Sequence, residues 1–225
     1  MKRGKGNRAN EASESDGLGE LIPLDLAWDS ESELPAEIDD FLRRADSLLQ
    51  AYWDSWHRRP IEQYVACDFR DVYRALASLR NSHLANGNLF CEWGCGFGIV
   101  TGLAAKLGWD AVGIEAEPFL VEQAAKMLRD EKIAAEVWNG NFLPSGAERL
   151  ARRQATHASL FHRIASVYGS QSLDVDDFAV IFAYPWPGED YFLKDVFRCY
   201  AADQAILVMF LGPYEIEIYR KQIAN

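Results

Sequence analysis

The sequence has few cysteines, and they lack the groupings that usually hold a metal ion. The four present are Cys67, Cys91, Cys95 and Cys199. They form no C-x-x-C pair, and no histidine lies beside them at the spacing of a zinc site. We therefore expect buried structural thiols in a reducing compartment, and no metal centre.

The sequence also has no apolar run that approaches the roughly 20 residues needed to span a bilayer. The basic start at Met1, Lys2 and Arg3 is not followed by the apolar segment of a secretory signal. Apolar residues make up 49% of the 225 residues, and this length is enough to bury the core of one α/β domain. These features predict a cytoplasmic protein that does not enter a membrane.

Basic side chains are absent from residues 11–40, which hold eleven acidic ones. Residues 1–10 hold four basic side chains and no acidic one, and the whole chain carries a formal net charge of −11. Most of the acidity therefore lies near the N-terminus, and the rest of the chain is only mildly acidic. This balance makes nucleic acid a less favoured partner, because phosphates are attracted to basic surfaces.

Composition divides the chain into three segments. Residues 1–34 are rich in glycine, serine and acidic residues, which predicts a disordered tail. Their apolar stretch, 21–28, leaves open the alternative that this part docks on the domain or on a partner. Residues 35–86 show two helical patterns, the second beginning after a cap at Asp68. We expect these helices to cover the core formed by residues 87–225.

Residues 87–225 alternate between strand and helix patterns. Helical patterns begin near Ile99, Pro118 and Asp190, and a further helical tract runs to about Tyr168. The predicted strands are 89–93, 111–114, 134–138, 178–183 and 205–211. Strands that alternate with helices indicate the α/β class, with a doubly wound, mostly parallel sheet.

The most informative motif is Glu92-Trp93-Gly94-Cys95-Gly96-Phe97-Gly98, which follows the first predicted strand and leads into a helix. Glycines there let a ligand approach the backbone closely. A dinucleotide site would need a further glycine, but Ile99 or Thr101 stands at that position. The carboxylate of Glu92 would repel a pyrophosphate, whereas it would attract the cationic amino group of an amino acid.

The pattern Glu-x-Gly-x-Gly-x-Gly at 92–98 resembles the first motif of class I, seven-strand S-adenosylmethionine-dependent methyltransferases. The resemblance implies a Rossmann-like sheet of strand order 3-2-1-4-5 and S-adenosylmethionine as the cofactor. It implies that Glu115, after the second strand, accepts hydrogen bonds from the ribose hydroxyls. The other cofactor-binding residues that it implies are Glu92, Gly94, Cys95, Gly96, Gly98, Ala116, Phe119, Asn141 and Phe142. Asn141 stands where the family usually carries an acid that binds the adenine amino group.

The loop after the fourth predicted strand is Tyr184-Pro185-Trp186-Pro187-Gly188-Glu189. It resembles the Asn/Asp-Pro-Pro-aromatic loop of amino-group methyltransferases, but it lacks the leading amide or acid, and Trp186 separates its prolines. We expect Tyr184 and Trp186 to form walls beside the transferred methyl group, with Tyr184 also in contact with the cofactor. Glu189 is a candidate for binding or deprotonating an acceptor amine, and it is equally placed to begin the next helix.

The predicted function is a methyl transfer by direct displacement to a protein side chain or a small molecule. The alternative is a non-catalytic module that binds S-adenosylmethionine and acts through protein partners. Few residues follow Leu211, so one further strand, Tyr214 to Tyr219, replaces the complete ending of the family. The sheet edge would then be exposed, covered by the N-terminal helices, or closed by another subunit in an oligomer.

Overall fold

The computed structural model describes residues 19–55, 65–151, 164–213 and 215–223. A short 3-10 turn, Val175–Asp177, precedes the fourth parallel strand. In chain order the other elements are β1 (Glu20–Pro23), α1 (Ala36–Asp54), α2 (Phe69–Ser82), β2 (Leu89–Trp93), α3 (Ile99–Lys106), β3 (Asp110–Glu115), α4 (Pro118–Asp130), β4 (Ala135–Asn139), α5 (Glu148–Ala151), β5 (Val180–Ala183), α6 (Asp190–Tyr200), β6 (Ile206–Gly212) and β7 (Glu215–Gln222).

The strands form one sheet of seven, in the order β1-β7-β6-β5-β2-β3-β4. The five strands from β4 to β6 are parallel to one another, and β7 runs antiparallel to both β6 and β1. Within the parallel part, the order is the predicted 3-2-1-4-5. The order reverses between β2 and β5, and a ligand of a doubly wound sheet binds at the carboxyl ends of the strands at that point.

The core consists of two apolar layers, one on each face of the sheet. Successive side chains of a strand point to opposite faces, so Phe90 of β2 packs in one layer and Cys91 in the other. Helices α1 to α4 pack on the Phe90 face, and α6 packs on the Cys91 face. The predicted doubly wound α/β fold is therefore the one observed.

Residues 19–34, which we call the N-terminal strap, differ from the disordered tail expected over 1–34. Strand β1 within the strap pairs with β7, and the apolar side chains of Leu24, Leu26 and Trp28 pack against the core. The indole Nε1 of Trp28 also donates to Asp71 Oδ1 on α2 at 3.0 Å. The strap therefore docks on the domain, as the second alternative proposed, and this docking covers its apolar side chains. Residues 1–18 lie outside the described part.

The sheet edge beyond β6 is covered by this chain's own strands, β7 and then β1. None of the three expected arrangements of that edge is the one observed, because β1 from the strap was not predicted as a strand. The open edge that made an oligomer one of the alternatives is therefore covered by β1 in the described sheet. The edge is now β1, a four-residue strand that contains Pro23, and both features discourage further pairing.

Two smaller differences concern element boundaries. Most of the helical tract predicted up to Tyr168 lies outside the described residues, and from residue 164 the chain is not helical. There Ser166 forms an isolated parallel bridge with Asn141 instead. The final strand begins at Glu215 and extends to Gln222, beyond the predicted Tyr219. None of the described helices has the length and apolar character needed to cross a membrane.

Candidate functional site

The glycine loop, residues 94–98, turns the chain from β2 into α3 at the carboxyl edge of the sheet. Gly94, Gly96 and Gly98 have φ angles of 74°, 54° and 73°. These values lie in the left-handed region, which glycine enters at little cost. The N–H groups of Gly94 and Cys95 both donate to the carbonyl oxygen of Ile114 at 2.9 Å, which anchors the loop to β3.

Other N–H groups of the loop are also used within the protein. Gly96 donates to Glu115 Oε2 at 2.9 Å, and Gly98 donates to the Cys95 carbonyl at 2.7 Å. A phosphate group would need such N–H groups to be turned toward it. The loop therefore differs from a phosphate cradle both in the use of these N–H groups and in the spacing of its glycines.

The glycines at the two ends of the loop serve different purposes. A Cβ atom added at Gly94 would meet no atom within 4 Å, so the space beside this glycine is open. A Cβ atom added at Gly98 would lie 3.0 Å from the Cβ of Ala124 on α4. Gly98 therefore allows α3 and α4 to pack closely, whereas Gly94 leaves room for a ligand against the backbone.

Glu92 lies on β2 directly below this loop and is 5% exposed. Its Oε2 accepts hydrogen bonds from the backbone N–H of Thr101 at 2.7 Å and from the Thr101 hydroxyl at 2.5 Å. Burial raises the pKa of Glu92 to about 8, the hydrogen bonds from Thr101 oppose this rise, and the charge of Glu115 adds to it.

Glu115 lies at the end of β3, on the other side of the loop, and it is half-buried. Its second carboxylate oxygen, Oε1, accepts from the N–H of Glu117 at 2.8 Å. Together with the bond from Gly96, this joins the glycine loop to the turn before α4. The carbonyl of the intervening Ala116 accepts from the Asn139 side chain at 3.4 Å, which fixes the same turn.

The carboxyl groups of Glu92 and Glu115 make this part of the site attractive to a cation, because a positive charge stabilises their ionised forms. Among the described residues, the groups that shift the pKa of Glu92 are Thr101 and Glu115, and neither is basic. An anionic ligand would meet repulsion here, whereas a positive charge would be stabilised. The described residues contain no group of three side chains that could hold a metal ion.

Asn141 and Phe142 follow β4 and are both buried. The Oδ1 of Asn141 accepts from the N–H of Leu143 at 2.9 Å. The ring of Phe142 stacks on Trp93, with centroids 5.3 Å apart and planes 12° apart. One face of Phe142 therefore packs in the core, and its expected contact with adenine stays a prediction for the rest of the ring.

The loop after β5 is held in shape by Glu189, which is 3% exposed. Its Oε2 accepts from the N–H of Trp186 at 3.2 Å, and its own N–H donates to the Trp186 carbonyl at 2.9 Å. Burial raises the pKa of Glu189, and the bond from Trp186 opposes this. Glu189 also directly precedes α6, but its carboxylate makes no capping hydrogen bond to that helix and instead holds the Trp186 backbone. Its role toward an acceptor amine stays a prediction.

The two aromatic residues of the same loop are placed differently. Tyr184 packs edge to face against Phe210 of β6, with ring centroids 4.9 Å apart. Trp186 is 39% exposed. Burial and the neighbouring Cys67 raise the pKa of Tyr184, so the segment before α2 lies near the end of β5. Tyr184 can therefore form part of a wall, while Trp186 lies at the surface.

The structure adds site residues that the sequence did not indicate. The ring of Tyr52, near the end of α1, lies 5.2 Å from Phe97 of the glycine loop and 6.2 Å from Phe119. Cys67, before α2, is close enough to Glu92 for that carboxylate to raise its pKa, after the larger effect of burial. Helical spacing places Tyr52 on the core face of α1, but no pattern in the sequence shows which element it meets.

Comparison with known proteins gives similarity only at the level of solved structures. No protein-family model matches the sequence, and no curated protein matches it. One similar structure is an RNA methyltransferase from Salinibacter ruber in complex with S-adenosyl-L-homocysteine. It is 16% identical over 72% of this chain and 95% of that chain, with a TM-score of 0.48.

Two further structures are similar at the same level. A methyltransferase from Geobacter sulfurreducens is 18% identical over 83% of this chain and 98% of that chain, with a TM-score of 0.47. An O-methyltransferase from Bacillus cereus in complex with SAH is 12% identical over 80% of this chain and 67% of that chain, with a TM-score of 0.46.

Proposed function

We propose that the protein is an S-adenosylmethionine-dependent methyltransferase. The observation that carries the proposal is the glycine loop between two carboxylates, Glu92 and Glu115, with open space beside Gly94. A loop whose N–H groups are already used suits a ligand without phosphates. S-adenosylmethionine has a cationic amino group, a sulfonium and ribose hydroxyls, and each of these is attracted to a carboxylate.

The residues present have distinct roles in this proposal. Glu92 balances the positive charge of the amino group, and Glu115 accepts from the ribose hydroxyls. Gly94 gives the backbone a surface that a ligand can approach closely, and the side-chain oxygen of Asn141 accepts from the adenine amino group. Ala116 before α4, Phe119 in its first turn and Phe142 after β4 would face the adenine.

The proposed chemistry is a direct displacement at the methyl carbon. When bound, S-adenosylmethionine supplies that methyl group on a sulfonium, which is an excellent leaving group. The chain's own contribution is then to align the acceptor and exclude water. Tyr184, packed on Phe210, forms a fixed wall at the end of β5, and Trp186 at the surface is placed to contact an acceptor. The proposed acceptor is a protein side chain or a small molecule.

A second candidate is a module that binds S-adenosylmethionine without methyl transfer. One observation favours it: the carboxylate of Glu189, the acid in the loop after β5, is buried and bonded to the Trp186 backbone. An acceptor that arrives protonated would need another base. Transfer of labelled methyl groups to any acceptor excludes this candidate.

Calorimetric titration of the full chain tests the proposal. We expect S-adenosylmethionine and S-adenosylhomocysteine to bind, and NAD to give no heat of binding. Absence of binding by both sulfur compounds would overturn the proposal. Binding of NAD in their place would identify a dinucleotide site instead.

A further inference from the structure

Thr101 of α3 lies directly beneath the glycine loop and is completely buried. Space for it is provided by Gly113 on the neighbouring strand, β3. A Cβ atom at Gly113 would lie 2.6 Å from the Thr101 hydroxyl oxygen and 2.8 Å from the Cβ and Sγ atoms of Cys95. The glycine at 113 therefore lets Thr101 and Cys95 fill the layer under the loop, with the hydroxyl held against Glu92.

Both polar donors of Thr101, its backbone N–H and its hydroxyl, are directed at one oxygen of Glu92. Hydrogen bonds of this kind are stronger to a carboxylate than to a neutral carboxylic acid, so they favour the charged form. Burial of Glu92 and the charge of Glu115 favour the neutral form. The protonation of Glu92 therefore depends on opposing effects, and among the described groups Thr101 is the one that favours the ionised form.

Five described groups interact with Glu92 through hydrogen bonds or charge, and they lie on different elements. They are Thr101 on α3, Glu115 at the end of β3, Cys91 on β2, Cys95 in the loop and Cys67 before α2. The pKa of each of these three thiols is raised, first by burial and then by Glu92. A positively charged ligand near Glu92 would favour its ionised form, as the hydrogen bonds from Thr101 do.

We infer that Thr101 is a positioning residue that sets the charge of Glu92, and thereby the pH range in which the protein captures its cationic cofactor. This inference rests on the proposed function. Near neutral pH, the cofactor-free protein holds Glu92 as a neutral acid. Binding of the cationic amino group converts that acid into a carboxylate, and its proton is released to the solvent.

The first test needs no cofactor. The carboxyl carbon of Glu92 is titrated by 13C NMR in the wild type and in the variants T101S and T101V, with E92Q to assign the signal. The wild type and T101S, which keeps the hydroxyl, should share a midpoint near pH 8. T101V, which has nearly the same shape but no hydroxyl, should titrate about one pH unit higher. An unchanged midpoint in T101V would overturn the inference.

Thermal unfolding of each variant shows whether it is folded. If T101V does not fold, T101A replaces it, because alanine also removes the hydroxyl and adds no branched carbon. The same upward displacement of the midpoint is expected, and the same absence of displacement would contradict the inference.

The second test measures protons by titrating S-adenosylmethionine in two buffers of different ionisation enthalpy. The wild type should release close to one proton at pH 7 and almost none above pH 9, after subtraction of E92Q. In T101V, proton release on cofactor binding should end about one pH unit higher than in the wild type. If the wild type does not bind the cofactor, the proposed function fails whatever the NMR shows. If both proteins bind it with the same proton release, only the inference about Thr101 fails.

Discussion

The ring of Tyr52 lies edge to face against the ring of Phe97, with centroids 5.2 Å apart. The first belongs to α1 and the second to the glycine loop, so this contact joins the leading helices to the site. Because Phe97 lies between Gly96 and Gly98, a shift of α1 would also displace the backbone of the glycine loop. The leading helices thus contact the site directly, in addition to covering the core.

Replacing Tyr52 with alanine tests this contact. The residue is 6% exposed, so its loss should lower the free energy of unfolding by about 3 kcal/mol. Loss of contact with Phe97 should also weaken S-adenosylmethionine binding roughly tenfold. Q50A is the control on the same helix, since Gln50 is exposed and its replacement should cost less than about 1 kcal/mol with unchanged affinity. Chemical denaturation and calorimetry measure the two quantities, and equal effects of both variants would contradict the prediction.

The two terminal glycines of the loop should respond differently to alanine. Both have φ near 73°, so each substitution should cost about 1–2 kcal/mol of backbone strain. G98A should cost more, because its Cβ would press on Ala124. G94A should instead weaken S-adenosylmethionine binding by at least about tenfold, since its methyl group occupies the open space. If G98A lost more affinity for S-adenosylmethionine than G94A, the prediction that the ligand lies beside Gly94 would be wrong.

Glu115 should be the most sensitive carboxylate for ribose binding. The E115Q variant keeps the shape but replaces one acceptor oxygen with an amide that cannot accept from Gly96 or Glu117. We expect cofactor affinity to fall about 10-fold to 100-fold, the usual effect of losing a charged hydrogen bond. E122Q, at an exposed position on α4, serves as the control. Equal affinities of E115Q and E122Q would remove the ribose role from Glu115.

Glu92 predicts a specific dependence of stability on pH. In the unfolded chain it ionises near its ordinary value of 4.5, whereas burial raises its pKa in the folded protein to about 8. The contribution of Glu92 to the free energy of unfolding is therefore fully present below pH 4.5. It is lost as the pH rises to about 8, and the free energy of unfolding then falls by up to about 1.4 kcal/mol per pH unit. Urea unfolding of the wild type and E92Q from pH 4 to 9 isolates this term. A difference between them that does not change with pH would contradict it.

The strap should depend on the hydrogen bond between Trp28 and Asp71. W28F keeps an aromatic ring but removes the donor from Asp71, which is 6% exposed. The free energy of unfolding should fall by about 1–3 kcal/mol. Adding D71A to W28F should then cost less than D71A alone, with a coupling of at least about 0.5 kcal/mol in a double-mutant cycle. Strict additivity would show that the bond contributes nothing.

The sequence predicts those parts of the fold and site that depend on neighbouring residues. The cap at Asp68 is one example, because its side chain accepts from the N–H groups of Arg70 and Asp71 as a helix start requires. The strand-turn-helix at the glycine loop is another, since three glycines after an apolar strand have few other arrangements. The positions of Glu92 and Glu115 at the ends of adjacent strands follow from the same pattern.

The relations that the sequence does not predict join distant segments. The sequence predicts Glu92 as a cofactor-binding residue, but it does not predict that the turn of the loop brings the Thr101 hydroxyl against the Glu92 carboxylate. The four residues of β1 are too few for a strand pattern, and their partner β7 lies at the other end of the described chain. The contact of Tyr52 with Phe97 depends on how α1 lies on the sheet, which periodicity does not determine.

The pairing of β1 with β7 has a consequence for synthesis on the ribosome. Strand β1 cannot pair until β7, about 200 residues later in the sequence, has been made, so this edge of the sheet closes only after the segment between the two strands has been synthesised. Contacts between such distant segments form slowly, because a long loop must be closed first. Until then the apolar side chains of the strap are exposed, and the acidic residues between 11 and 40 repel other nascent chains. This charge should therefore limit association between chains in which the pairing of β1 with β7 has not yet formed.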